Sequence, residues 1–221
     1  MSIRQGNELL PMVKQDLESP DAEARLEFFR HFRVHSDEFA AHTAEALQQW
    51  TNFHNVLPDG RALYVATILF TAINLNLSSF KLFMSGHTVA AGCQFRQVLE
   101  AIAMALLCST NEVDVLERFE ADRYSTNDAV RDLGRHRVTL GVNLDAYRVL
   151  QQAYNFYHEY AHISKLTITA GANLGAGAVP NIGAFFDEGK LQQYSSEVNS
   201  RVSLTRQLPN LVHVIARNAL R

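Results

Sequence analysis

The chain has 221 residues, 47% hydrophobic and 19% charged, with a net charge of −3 and nine histidines. That composition excludes a disordered chain and allows one substantial core, although length alone admits two small domains. The acidic balance provides no global positive field, so nucleic acid is not an expected partner unless a local patch serves it.

The N-terminus has no apolar signal region, so no secretory leader is expected. The most apolar stretches, Val65 to Leu77 and Val98 to Cys108, fall short of the ~18 apolar residues a membrane span needs. The two cysteines, Cys93 and Cys108, fall on one predicted helix. At ~1.5 Å per residue they lie roughly 22 Å apart, too far for a disulfide. These features lead to the expectation of a reduced, cytoplasmic protein with no membrane partner.

Taken in order, residues 3–17 have helical apolar spacing limited by Pro11, and residues 1–18 are expected to form a peripheral segment. Ser19-Pro20-Asp21 is a helix start, with serine capping and proline in the first turn. The helix it opens carries Leu26, Phe29, Phe32 and Phe39, runs to about Val56, and is expected to kink near residue 36. Leu57 to Gly60 is a turn, followed by a helix from about Arg61 to Phe83. Thr88 to Ser109 is apolar almost all round and belongs at the centre of a bundle. Further helices are predicted over Glu112–Leu133, with a loop from Gly134 to Gly141, and over Leu144–Lys165, capped by Asn143. Residues 166–186 are rich in Gly and Ala and are expected to be a loop. Asp187 opens the last helical region, which Pro209 is expected to divide. The fold expected is an all-α, single-domain bundle over residues 1–221, with about seven helices and no β-sheet.

His158-Glu159-Tyr160-Ala161-His162 has two histidines four apart, which share a face on a helix. This His-Glu-x-x-His resembles the metal-binding stretch of the zincin metallopeptidases. The resemblance implies His158 and His162 as zinc ligands and Glu159 as general base, in a divalent-metal hydrolase. A third ligand is required. The extended form of the motif needs glycine and histidine where Lys165 and Ile168 stand, leaving Glu188 or Glu197 as candidates. The competing account is structural. Tyr147, Leu150, Tyr154, Tyr157 and Ala161 make the apolar face of the helix, and the two histidines flank it. His31 and His35 form a second pair at the same spacing, with His42, His54 and His87 also available. Glu159-x-x-His162 is a single copy of a pattern that di-iron bundles use twice.

Arg96 and Glu100 stand four apart on the most apolar helix. Charge there is either a paired bridge or the lining of a pocket for a small polar or anionic ligand. An Arg-x-x-x-Glu helix followed by a Tyr-rich helix ending in His162-Ile163-Ser164 resembles a pattern in uncharacterised bacterial all-helical proteins. That resemblance implies that Arg96, Glu100 and His162 form one unit, and it brings no activity. Arg131 and His136 resemble the motif of the HEPN-type ribonucleases, which implies action on an RNA phosphodiester; Arg30 and His35 match the same spacing. The glycine-rich segment is not a phosphate loop, because no Gly-Lys-Ser/Thr follows. It is a connector, or a lid near His162 with Phe185 and Phe186 at its tip.

The expectation from sequence is a binding or interaction module with a polar pocket of Arg96, Glu100, His158 and His162, able to form a homo-oligomer. The alternatives are a zinc hydrolase using His158, Glu159 and His162, and a HEPN-like RNA-binding or RNA-cleaving module.

Overall fold

The computed structural model describes residues 6–56, 60–173 and 179–221. It is all-α, with nine α-helices among the described residues where about seven were expected. They are α1 (Gly6–Glu18), α2 (Ala22–His54), α3 (Arg61–Met84), α4 (Thr88–Cys108), α5 (Val115–Glu120), α6 (Ala129–His136), α7 (Leu144–His158), α8 (Lys165–Ala170) and α9 (Leu191–Ala219). Sheet pairing among the described residues is one antiparallel ladder, Ala172–Asn173 with Val179–Pro180. That ladder and α8 fall inside the stretch expected to be a bare loop.

α4 is the central element, as its composition predicts. Val98, Leu99, Ile102, Ala103, Leu106 and Cys108 are fully buried or nearly so. The main core joins this helix to Val65, Leu69 and Ile73 of α3, to Val130 and Leu133 of α6, and to Leu150 and Tyr157 of α7. A second cluster is aromatic: Phe28, Phe32 and Phe39 of α2 meet Phe80 and Phe83 of α3 and Tyr194 of α9. Both α3 and α4 contain a window long and apolar enough to cross a bilayer, which corrects the sequence estimate; 72% of the α4 window and 44% of the α3 window lie inside the protein. The sequence estimate counted uninterrupted apolar runs, whereas Asn76 and Ser79 of α3 are themselves buried by hydrogen bonds to Thr205 and to the Ala91 carbonyl.

Several boundaries move for identifiable reasons. α2 begins at Ala22, not at Pro20. Ser19 Oγ accepts the Asp21 N–H, and Asp21 adopts φ +54, with its carboxylate 2.9 Å from His87 Nε2. The break in α2 is at Phe32 (φ −123, ψ 23), four residues before the expected position. The Phe32 ring there packs against Phe28 and Phe83. Pro209 does not divide α9. Leu208 and Val212 on either side of it are buried in the core, so tertiary packing offsets the one missing hydrogen bond. Pro11 likewise lies inside α1.

The helix expected over Glu112–Leu133 is broken in two. Asp122 takes φ +55 just after α5, and the chain re-enters helix only through a 3-10 turn at Thr126–Asp128. Gly134, expected to start a loop, sits inside α6. A Cβ there would come within 2.4 Å of the Tyr147 ring, so its lack of a side chain lets α7 press against α6.

Candidate functional site

The largest correction concerns the stretch that holds both histidines. The sequence predicts one helix from Leu144 to Lys165, but α7 ends at His158. A 3-10 turn covers Glu159–Ala161, and His162 is extended (φ −129, ψ 160). Tyr160 explains the break. Its ring lies against α4 over Gly92, where a Cβ would come within 2.4 Å of it. Its carbonyl accepts from Cys93 Sγ at 2.8 Å, and its hydroxyl donates to Glu197 Oε1 at 2.5 Å. A continuing α-helix would not place this side chain between α4 and α9. Ser164 then starts α8 with a reciprocal capping box to Thr167, and its hydroxyl donates to the Glu159 carbonyl. The His-x-Ser pattern thus has a local structural role.

Despite the break, His158 and His162 stay together, with ring centroids 4.6 Å apart in an edge-to-face contact. Both are exposed, as is Glu159. They lie further into solvent than the core boundary the helical reading gave them, because the apolar face ends at Tyr157 and Ala161 is itself exposed.

Arg96 and Glu100 form an ion pair of 3.0 Å, with side chains 12% and 13% exposed. Arg96 Nη2 also donates to Asn127 Oδ1 (2.8 Å) and to the Tyr154 hydroxyl (3.3 Å), and the guanidinium lies 5.4 Å from the Tyr154 ring centre. Nη1 makes no hydrogen bond with any described residue. Tyr154 in turn contacts His158, with ring centroids 6.3 Å apart. The four residues named from sequence therefore lie along one strip, Glu100, Arg96, Tyr154, His158 and His162. Asn127, which the sequence reading did not name, and Tyr154, which it placed on the apolar face, join the strip as partners of Arg96.

The third ligand is a different matter. Among the described residues no group of three His, Cys, Asp or Glu side chains stands together as a metal site. Glu197, a candidate from sequence, does reach this stretch, but its partners are Tyr160 and Arg201. The other histidines named from sequence have separate neighbours: His31 stacks on Phe186, His35 meets the Phe32 ring edge-on, His54 lies by Trp50, His42 pairs with Glu38 and Glu45, and His87 pairs with Asp21. Phe186 packs into the aromatic cluster with Phe28 and Tyr194, not over His162, so the lid is not formed by that tip. Arg131 of the ribonuclease-like motif is 58% exposed and pairs with Asp128 and Asp132.

The buried polar centre behind the strip went unrecognised in the sequence. Glu197 and Arg201 on α9 are 1% and 0% exposed and pair at 3.1 Å. Arg201 Nη1 also donates to the Tyr157 hydroxyl at 2.8 Å. Its guanidinium carbon lies 4.8, 4.9 and 5.1 Å from the ring centres of Phe83, Phe95 and Tyr157. Gln193 Nε2 donates to both the Tyr160 hydroxyl and Glu197. The signal in the sequence is the spacing: Glu197 and Arg201 are four apart, as Arg96 and Glu100 are.

This centre has a consequence at high pH. Burial pushes the Tyr157 hydroxyl from 10.0 up to about 12; Glu197 nearby adds to the rise and Arg201 opposes it. Tyr160 and Tyr194 are raised further in the same direction, chiefly by burial. Between the unfolded and folded values the native state holds the proton and the unfolded state releases it. Stability is therefore fully present below the unfolded value and falls as pH rises toward the folded one, by ~2–3 kcal/mol from Tyr157 alone. Urea midpoints measured from neutral pH into the alkaline range should be flat and then fall steeply. A flat profile throughout would show that these hydroxyls are not buried.

Fold and site together define an all-helical protein with a half-buried Arg–Glu pair opening onto two exposed histidines. No family model, curated protein or solved structure matches the chain.

Proposed function

We propose that the chain is a binding module whose polar strip of Arg96, Glu100, Tyr154, His158 and His162 takes a small anionic or polar ligand. One observation carries this reading. Arg96 is fixed by Glu100, Asn127 and Tyr154, yet its Nη1 is left without a hydrogen-bonding partner among the described residues. A guanidinium oriented in advance loses little freedom when it binds an acceptor. The neighbouring histidines add positive charge when protonated, which suits a carboxylate or phosphate. The zinc hydrolase remains the alternative proposal and uses His158 and His162 from the same strip.

The test follows the imidazole resonances of the untagged protein by NMR near pH 6. Separate titrations with inorganic phosphate, acetate and Zn²⁺ discriminate the readings. Phosphate or acetate should shift the His158 and His162 signals saturably, and Arg96→Lys should weaken that binding about tenfold while leaving the fold intact. If neither anion binds and Zn²⁺ does so stoichiometrically, the metal reading replaces this one. If nothing binds, both fail.

A further inference from the structure

The outward face of α3 is uncharged and partly apolar. Residues 62 to 80 contain no Asp, Glu, Lys, Arg or His. Leu63, Tyr64, Phe70 and Leu77 are 44%, 36%, 37% and 46% exposed. The exposed positions Leu63, Thr67, Phe70, Asn74 and Leu77 recur at alternating spacings of four and three. Such positions share one face, with the spacing an a/d seam uses, running about 21 Å along a helix whose other side is buried against α4; at its centre the Phe70 ring keeps one side against Trp50 of α2, centroids 4.6 Å apart, and 37% of the residue exposed. Thr67 on the seam and Thr71 beside it are cheap to desolvate, since they donate their hydroxyls to the carbonyls of Leu63 and Thr67. The remaining polar side chain, Asn74, occupies the kind of seam position at which asparagine sets register and partner number.

The pattern is also symmetric. Leu63 lies seven residues before Phe70 and Leu77 seven after it, with Thr67 and Asn74 between. Near the N-terminal end, Gly60, Leu63, Tyr64, Thr67, Ile68 and Thr71 line a shallow apolar groove of about 500 Å³. Gly60, Leu63, Tyr64 and Thr67 have the i, i+3, i+4, i+7 spacing of a hole that accepts one side chain from a facing helix.

We infer that this face packs against the same face of a second copy of the chain, antiparallel, about a two-fold axis near Phe70. Leu77 of each copy enters the groove beside Leu63 of the other. An uncharged face suits its own copy because it brings no like charges together. The antiparallel sense follows from the flanks. A parallel pair would set Lys81 against Lys81, whereas the antiparallel one sets it at the end where Arg61 is already paired with Glu117. The interface is independent of the polar strip on α4 and α7.

Sedimentation velocity on the full chain tests the pairing. The wild-type protein is expected to be a dimer at micromolar concentration. Phe70→Lys buries a charge on the axis and should raise the dissociation constant by on the order of a hundredfold or more. Leu63→Glu and Leu77→Lys, both at already exposed positions, should do the same singly with far-UV circular dichroism unchanged. The double variant L63E/L77K faces Glu with Lys across the axis and should regain a dimer that dissociates at high salt. A monomeric wild type overturns the proposal, as does a dimer indifferent to these changes. A wild-type monomer that instead partitions onto phosphatidylcholine vesicles through this face also overturns it. A double variant as monomeric as the single ones overturns the antiparallel register.

Discussion

Glu197→Ala should cost about 3–5 kcal/mol of folding stability, the largest effect expected of any single charge in this chain. The reason is local. Arg201 is fully buried, and Glu197 is its sole carboxylate partner among the described residues. Nε and Nη2 of Arg201 have no hydrogen-bond partner among the described residues, so the desolvated guanidinium is offset by one carboxylate, three aromatic rings and the Nη1 bonds to the Tyr157 hydroxyl and the Glu197 carbonyl. Removing the carboxylate strands that charge. Replacing both partners with apolar groups of similar volume, as Glu197→Leu with Arg201→Met, removes the stranded charge and should recover most of the loss. Urea unfolding of the two single variants and the double one supplies the coupling between them. A Glu197→Ala variant within 1 kcal/mol of wild type, or a double variant that loses as much as the two singles combined, would contradict the arrangement.

Tyr160→Ala should cost about as much, ~3–5 kcal/mol, whereas Tyr160→Phe should cost only ~1–3 kcal/mol. The phenyl ring fills the space over Gly92, and the hydroxyl adds the bond to Glu197 and accepts one from Gln193. The two substitutions also separate packing from positioning. Without the ring, residues 159–161 lose their packing on α4 and keep the weak bond from Cys93 Sγ to the residue-160 carbonyl, so the turn that places His162 beside His158 should open. Amide exchange over residues 159–164 should accelerate in Tyr160→Ala and stay close to wild type in Tyr160→Phe. Equal stability losses in the two variants would mean that the hydroxyl, not the ring, holds the turn.

Much of the architecture was legible because it depends on short-range chemistry. The apolar run from Val98 to Cys108 admits no exposed face, so α4 had to be central. Asn143 caps α7 through a side-chain bond to Asp145 N, and Asp187 holds Gly189 N at the start of the last helical region, both where the sequence placed them. The Arg96–Glu100 pair was legible for the same reason, because four residues on a helix bring two side chains into reach. Its outer partners were not. Asn127 and Tyr154 come from a 3-10 turn and from another helix, and no local spacing announces them.

Helix breaks mark the opposite case. Tyr157 to Ser164 contains no glycine or proline, so nothing in its own propensities ends α7 at His158. The break comes from Gly92, 68 positions before Tyr160, which opens a space on α4 that only a ring from that turn fills. Pro209 shows the converse: a residue expected to divide a helix is carried through because its neighbours are buried. By itself the sequence determined the helical class, the central helix, the caps at Asn143 and Asp187 and the local charge pair, since each depends on residues a turn or two apart. The tertiary structure decided that His-Glu-x-x-His is bent around a buried tyrosine, and that buried Glu197 pairs with Arg201. Those outcomes depend on contacts between helices far apart in the chain, where the energy of filling one space or pairing one buried charge outweighs the preference of the local segment.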